Sequence, residues 1–143
     1  MADITITAAS VVPGSNATQI QGTAGETITA GMAVYLKSSD TRWWKAQADG
    51  TSAESGVGSN TLGIALTGSS AGQPIIVDTA DSNGITIGGT TVVGTVYCVS
   101  ATAGGICPWA DLSSTNYVTI LGVGDSSNKI KMITGGATGI AHA

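Results

Sequence analysis

The chain has 143 residues and a net charge of −4, and 10% of its residues are charged, compared with about 25% in an ordinary soluble domain. With five Lys and Arg in all, it lacks the basic stripe that releases counterions from a nucleic acid, so direct DNA or RNA binding is not expected. No apolar run approaches the roughly 20 residues of a membrane-spanning helix, and the start MADITIT has no basic region or long apolar stretch of a signal peptide. We therefore expect synthesis in the cytoplasm and no membrane partner.

The low charge also predicts association. Ser, Thr and Gly must supply much of the polar surface, because 42% of the residues are hydrophobic and few are charged. A monomer of this composition would expose apolar patches, which usually mark contacts with other proteins. We expect the chain to associate with further copies of itself or with a larger assembly.

The chain begins with an alternating segment. Asp3–Thr7 (DITIT) has the period of a half-buried strand, and Pro13-Gly14 then marks a turn. We interpret residues 1–22 as an N-terminal arm that adds a strand to a neighbouring chain; the alternative is an ordinary edge strand of the same domain. Four apolar side chains of the arm are candidate interaction residues: Ile4, Ile6, Val11 and Val12.

Residues 23–134 predict an all-β domain, either a small barrel or a sandwich. Short runs rich in β-branched residues alternate with glycine turns, and no window of twelve residues has the 3.6-residue period of a helix. Asn83-Gly84 is a tight-turn dipeptide. The predicted strands are Glu26–Thr29, Ala33–Lys37, Trp43–Ala48, Leu62–Leu66, Pro74–Thr79, Ile85–Ile87, Thr91–Ser100, Ile106–Trp109, Tyr117–Val123 and Lys129–Thr134.

The domain contains an internal echo. ITAGMAVYLKSS is followed by WKAQAD, LGIALTGSS and QPIIV, and TVVGTVYCVSAT is followed by CPWAD, LGVGDSS and KIKMI. We interpret residues 23–79 and 90–134 as two related β-units; chance similarity within a limited alphabet is the alternative. The order of the motifs pairs Gly31 with Gly94, Tyr35 with Tyr97, Asp49 with Asp111, and Leu62-Gly63 with Leu121-Gly122.

Two pairs of residues within the domain suggest specific contacts. In TRWWKA, Trp43 and Trp44 must point to opposite faces of a strand, so that one fills the core and the other is an outward anchor of the kind found at interfaces; burial of both is the alternative. Cys98 and Cys107 bracket a hairpin-like VSATAGGI, where a cross-strand disulfide competes with two buried thiols, which we prefer in a reducing cytoplasm. Further candidate interaction residues are Arg42, Trp43, Trp44 and Trp109.

No arrangement of residues predicts catalysis, a metal or a cofactor. The single histidine, His142, lies in residues 135–143, a glycine-rich stretch predicted to be a flexible tail, and cannot be held against a nucleophile there. The acids are scattered and mostly occupy turn contexts. Two cysteines are too few for a zinc site, and GVGSNTLG (Gly56–Gly63) lacks the flanking strand, helix and lysine of a phosphate loop. We predict that the chain is not an enzyme.

Three stretches carry a family resemblance: an AGE-x-I-x-AG-x-x-VY corner at Ala24–Tyr35, KA-x-AD at Lys45–Asp49, and GIAL…AGQP at Gly63–Pro74. With the opening MADITITAASVVPGS, they resemble the capsid decoration (cement) proteins of tailed bacteriophages. The resemblance covers residues 1 to about 80 well, and the second half mainly through the internal echo. The tryptophan pair and the glycine-rich tail depart from the pattern.

The resemblance implies a β-rich homotrimer on the outer capsid surface of the virion, at three-fold positions. There it would clamp neighbouring subunits of the major capsid protein after expansion, and its N-terminal arm would contact other subunits or the shell. The alternative function is a surface β-sandwich binding module for carbohydrate or host-surface adhesion. In that alternative Trp43, Trp44 or Trp109 would be stacking platforms.

Overall fold

A computed structural model of the chain describes residues 3–51, 54–55, 61–133 and 137–143, with the backbone alone for residues 137–139. The chain is an all-β sandwich of two antiparallel sheets, which confirms the predicted fold class, and neither sheet closes into a barrel within these residues. Two single turns of 3-10 helix are present at Ala8–Ser10 and Trp109–Asp111. The described strands are β1 (Val11–Val12), β2 (Thr18–Thr23), β3 (Ala33–Lys37), β4 (Arg42–Lys45), β5 (Leu62–Ala65), β6 (Pro74–Ala80), β7 (Ile85–Ile87), β8 (Val96–Val99), β9 (Ile106–Pro108), β10 (Tyr117–Gly124), β11 (Lys129–Met132) and β12 (Ala137–Ala141).

The two sheets have the same strand order. The first sheet, from residues 18–80, has the order β2-β6-β5-β3-β4, and the second, from residues 85–132, has the order β7-β11-β10-β8-β9. When the strands of each sheet are numbered from that sheet's first strand in the chain, the two sheets have the same strand order. The second sheet gains β1 beside β7 and β12 beside β10. We refer to residues 18–80 and 85–132 as the first and second units.

The first sheet curls until its two edge strands approach each other. A single parallel bridge joins Ala24, just after β2, to Trp43 in β4. The side chain of Trp43 fills the inside of this curl and is 1% exposed. Six further buried residues surround it: Ala24, Ile28, Val34, Ala65, Ile75 and Val77.

The main core lies where the two units meet. Ala33, Tyr35 and Ile64 of the first sheet share one buried cluster with many residues of the second sheet. Backbone hydrogen bonds also cross this junction, from Ala33 N–H to Gly104 O at 2.9 Å and from Gly104 N–H to Ala46 O at 2.8 Å. The two units are therefore joined by paired backbone as well as by apolar packing.

Strand register corrects one correspondence of the internal echo. Gly31 and Gly94 both adopt positive φ, 92° and 81°, just before β3 and β8, as matching corners require. However, Val34 lies opposite Gly63, and Tyr97 lies opposite Gly122. Tyr97 therefore corresponds to Val34, and pairing it with Tyr35 is wrong by one residue. Such a shift exchanges the two faces of a strand.

Several strand predictions are wrong in extent. Residues 26–29 form a loop with one isolated bridge between Ile28 and Ser69, because Ile28 is buried at the end of the curl without a ladder. The strand predicted from residue 91 begins at residue 96, after the Gly94 corner. Residues 3–7, predicted as a strand, belong to no strand. The remaining predicted strands are present with ends shifted by up to three residues.

Three strands are absent from the sequence prediction: β1, β2 and β12. β2, within the predicted arm, pairs with β6 of its own chain along its whole length. Its sequence TQIQGT is polar because most of the strand is exposed, so it resembles a linker. β12 lies in the predicted flexible tail and pairs with the start of β10; its glycine-rich sequence has no alternation that indicates a strand.

Candidate interaction surface

The N-terminal segment, residues 3–12, crosses a gap in the second unit. Ile4 donates its backbone N–H to Ile106 O at 2.8 Å, and Thr7 donates to Gly88 O at 2.8 Å. The segment thereby connects β9 with the chain that follows β7. Three of its apolar side chains are partly buried against the main core: Ile4, Ile6 and Val11. The fourth predicted arm residue, Val12, is 53% exposed.

The hairpin registers show which residues of the two units correspond. Val34 faces Lys45 in the β3–β4 hairpin, and Tyr97 faces Pro108 in the β8–β9 hairpin. Tyr97 lies 63 positions after Val34, and Pro108 lies 63 positions after Lys45. The same displacement relates the corner glycines Gly31 and Gly94. Residues 25–45 and 88–108 can therefore be compared position by position.

The two units close their curls differently. In the first unit, Gly25 donates its backbone N–H directly to Trp43 O at 2.8 Å. The corresponding residues of the second unit are Gly88 and Ile106, and each bonds to the N-terminal segment instead. The N-terminal segment thus occupies a seam that the first unit closes without an added strand.

The side chains at each seam fit this difference. In the first unit Glu26 Oε2 accepts the backbone N–H of Lys45 at 3.0 Å, and Glu26 Oε1 lies 3.9 Å from Lys45 Nζ. The corresponding residues are Gly89 and Pro108. A Cβ on Gly89 would lie 2.5 Å from Ile4 Cγ2, and Pro108 has no N–H that needs an acceptor. Both substitutions therefore accommodate the N-terminal segment.

An open groove of about 610 Å³ runs beside this seam. A smaller apolar groove of about 350 Å³ adjoins it and shares Thr95, Pro108 and Ala110. Trp109 and Ile120 line the smaller groove. The larger groove is lined by Asp3, Ile4, Thr5, Thr90, Val92, Thr95, Tyr97, Pro108, Ala110 and Asp111.

Large apolar side chains at this end of the second unit are exposed to solvent. Val92, Val93 and Trp109 are 61%, 68% and 48% exposed. The ring of Trp109 packs against His142 with centroids 4.8 Å apart. We name the surface formed by Val92, Val93, Thr95, Pro108 and Trp109 the Trp109 face.

The tryptophan pair points to opposite sides of β4, as the sequence predicts. Trp43 is buried, whereas Trp44 is partly covered. The indole Nε1 of Trp44 donates to Asp40 Oδ2 at 3.1 Å, and Lys37 Nζ lies 4.8 Å from its ring centroid. Arg42 is exposed, and its backbone N–H donates to Asp40 Oδ1 at 3.0 Å. Trp44 is therefore held by its own chain, and the predicted interaction residues do not form one surface.

The cysteines lie opposite each other on the β8–β9 hairpin, as the sequence predicts for a hairpin at this site. Cys98 and Cys107 are cross-strand partners, and both are buried free thiols. Burial raises the pKa of Cys98 to about 12, with a smaller contribution from Cys107. Burial, followed by the charges of Asp3 and Asp111, raises the pKa of Cys107 to about 11.

Two acidic side chains are buried at positions where no sequence pattern indicates burial. Asp78 in β6 and Asp81 just after it are both 0% exposed. Burial raises the pKa of Asp78 to about 7, and the hydrogen bond and charge of Asp81 contribute further. In the part of the chain that the structure describes, no three His, Cys, Asp or Glu residues are grouped to hold a metal ion. The stretch at residues 56–60 of GVGSNTLG lies outside that part.

The seam is the feature that sequence reasoning missed, although a signal for it was present. Glu26 and Lys45 have Gly89 and Pro108 at the same displacement that relates Gly31 to Gly94. A constant displacement at the corner, with charged residues replaced by Gly and Pro, marks a site where the two units differ.

Comparisons of the chain with protein-family models, with curated proteins and with solved structures find no match. No helix among the described residues is long and apolar enough to cross a membrane.

Proposed function

We propose that the chain is a structural virion protein that decorates the outside of a tailed-phage capsid, where it bridges major capsid protein subunits as a homotrimer. The observation that carries this proposal is the Trp109 face. Trp109 lines the apolar groove, Val92 lines the larger groove that adjoins it, and both are exposed together with Val93, the residue after Val92; exposed apolar surface of this kind usually marks a protein contact. The sequence resemblance of residues 24–74 to decoration proteins supplies the class of assembly.

The Trp109 face is the proposed contact between copies. A trimer with three-fold symmetry needs a heterologous contact, in which one surface meets a different surface of the next copy. The Trp109 face consists of residues of the second unit alone, so it can meet a neighbouring copy without using the first unit. The exposed strand β2 and the side chain of Val12 then remain for the capsid.

Sparse charge suits this role. A coat on a closed lattice need not attract DNA, and a net charge of −4 with five cations gives no attraction for phosphates. Because three copies bind the shell together, each contact can be weak while the trimer stays attached.

Binding to expanded capsids that lack decoration protein tests the proposal. We expect the purified chain to co-sediment with such capsids and to raise their resistance to heat. Trp109→Ala should weaken this binding by tenfold or more, since interface tryptophans often contribute about 2 kcal/mol or more. Ile20 is an exposed apolar residue on β2 of the other sheet. Ile20→Ser tests whether the surface that contacts the capsid is separate from the contact between copies, and it should leave trimer formation unchanged. Capsids that stay bare at saturating protein would contradict the proposal.

A second candidate function is a carbohydrate or adhesion module. One observation favours it, namely that Trp109 is the one aromatic side chain classed as exposed in the described part of the chain, and it lies at a groove. Trp43 is buried and Trp44 is engaged by Asp40, so neither offers an open stacking platform. Glycan-array binding that Trp109→Ala abolishes would favour this candidate over the first.

A further inference from the structure

A pair of buried carboxyl groups lies where the chain passes from the N-terminal segment to β2. Asp78 and Asp81 are both fully buried. Among the described residues no donor reaches either side-chain oxygen of Asp78 or Asp81 Oδ1 in hydrogen-bond geometry, and the nearby backbone N–H of Ala80 offsets only part of the rise in the Asp78 pKa. The fourth oxygen, Asp81 Oδ2, accepts the backbone N–H of Gly14 at 2.7 Å.

The loop at residues 13–17 packs against Asp81 of this pair. A Cβ on Gly14 would lie 2.7 Å from Gly84 O and closer still to Asp81 Oδ1, so the loop is in direct contact with the carboxyl group. Asn16 Nδ2 donates to Ser82 Oγ at 2.9 Å. Asn83 Nδ2 donates to Ser15 Oγ. Among the side chains that form these hydrogen bonds, Asp81 is the ionisable one.

No cation compensates the pair among the described residues. β2 and β5, which flank Asp78 in the sheet, have no titratable side chain. β11 donates the backbone N–H of Met132 to Asp81 O at 3.1 Å and carries two lysines. Of these, Lys131 lies 3.8 Å from Asp125 at the surface, and neither lysine lies within ion-pair distance of Asp78 or Asp81.

The corresponding position of the second unit is different. In the first unit Ile64, the residue after Gly63, pairs with Asp78. In the second unit Val123, the residue after Gly122, pairs with Lys131. Because Gly122 corresponds to Gly63, Lys131 is the counterpart of Asp78. Asp78 is buried whereas its counterpart Lys131 is exposed, and the loop at residues 13–17 contacts the other member of the buried pair, Asp81.

Two neighbouring carboxylates without a cation cannot both be charged in a dry site, so one of them retains a proton. In that state the protonated carboxyl can donate to the other, which still accepts from Gly14. Loss of the proton to water leaves two buried negative charges. The charges are relieved only when water reaches them, and this requires the loop at residues 13–17 to lift.

We propose that Asp78 and Asp81 form a pH-sensitive latch, which holds the loop at residues 13–17 and the adjoining N-terminal segment on the sandwich while the pair shares a proton, and loosens them when both carboxyl groups are ionised. The N-terminal segment is then held by its two backbone bonds at the seam, from Ile4 and Thr7, by the pairing of β1 with β7 and by the hydrogen bond that Ser100 Oγ donates to Asp3 Oδ1. The latch makes opening of this segment more frequent at alkaline pH. This inference does not depend on the capsid proposal, because the isolated chain is enough to test it.

Hydrogen exchange followed residue by residue tests the latch. We expect the protection factor of Gly14 N–H, corrected for the intrinsic effect of pH, to fall by tenfold or more between about pH 5 and about pH 9. Thr7 should lose protection with it, whereas amides of the β10–β11 ladder should not. In Asp78→Asn, an uncharged variant of the same shape, Gly14 should stay protected at both pH values. Asp125→Asn, at an exposed carboxyl group, is the matched control and should behave as the unmodified chain.

Equal protection of Gly14 at both pH values in the unmodified chain would overturn the proposal, and so would a fall that persists in Asp78→Asn. If that variant does not fold, the carboxyl carbon of Asp78 can be titrated by NMR in the unmodified chain. A midpoint near 7 together with the loss of Gly14 protection supports the latch, and a midpoint below about 5 overturns it.

Discussion

Gly25 donates its backbone N–H to Trp43 O at 2.8 Å and so closes the curl of the first unit. At the corresponding residues of the second unit, the backbone oxygens of Gly88 and Ile106 accept the N–H groups of Thr7 and Ile4 in the N-terminal segment. Two units with the same strand order therefore differ at one seam, and the beginning of the chain fills it.

Gly89 should be intolerant of any larger side chain. A Cβ there would lie 2.5 Å from both Ile4 Cγ2 and Thr5 O, so Gly89→Val must displace the N-terminal segment. We expect a loss of about 1–3 kcal/mol in the free energy of unfolding by urea, the usual cost of overpacking. Gly68→Ala is the control, because the nearest atom to its Cβ would be Ile28 O at 3.7 Å. A Gly89→Val chain as stable as the control would refute the described seam.

The three tryptophans should differ sharply in their effect on stability. Trp43 is 1% exposed inside the first curl, and its replacement by Ala should cost about 3–5 kcal/mol in the free energy of unfolding. Trp109 is 48% exposed, and Trp109→Ala should change the stability of the monomeric fold by no more than about 0.5 kcal/mol. Comparable losses at both positions would show that Trp109 is buried and would remove the Trp109 face.

The cysteines should react slowly in the folded chain. Their pKa values of about 12 for Cys98 and about 11 for Cys107 leave little thiolate at pH 8, and the thiolate is the reactive form. We expect modification by a thiol reagent to be about a hundredfold slower or more than in the urea-unfolded chain. Rapid modification of either native thiol would contradict its burial.

Stability should depend on Asp78 in an unusual direction for an acid. Its folded-state pKa of about 7 lies above the unfolded value of 3.8, so between these pH values the native chain binds a proton that the unfolded chain has released. Its contribution to stability is complete below pH 3.8 and is lost as the pH rises through about 7, by at most about 4 kcal/mol. The measurement is urea unfolding of the unmodified chain and Asp78→Asn across this range. The difference between the two curves should change with pH and then level off above about 8; a constant difference would contradict the raised pKa.

Local pattern was enough to predict most of the sandwich. β3 and β7 have the expected bounds because β-branched or aliphatic residues lie between clear turn signals such as Gly31 and Asn83-Gly84. β2 was missed because its pairing uses backbone groups that its polar, exposed side chains do not reveal. The correspondence of Tyr35 with Tyr97 failed because letters were matched without the register that fixes the face of each residue.

The candidate sites were harder to predict because they depend on contacts between distant parts of the chain. Asp81, which is buried together with Asp78, accepts the backbone N–H of Gly14, a residue more than sixty positions earlier in the sequence. Ile4 and Ile6 alternate as strand residues do, yet they fill a seam rather than join a ladder. Trp109 was predicted as an interaction residue, and its exposure agrees with that role without testing it.

The most direct test of the proposed assembly is the mass of the purified chain in solution, measured by light scattering during size-exclusion chromatography at micromolar concentration. We expect three times the chain mass of 14.0 kDa, and a shift towards the monomer in Trp109→Ala. A monomer for the unmodified chain, or a trimer that Trp109→Ala leaves unchanged, would contradict the assignment of the Trp109 face as the contact between copies.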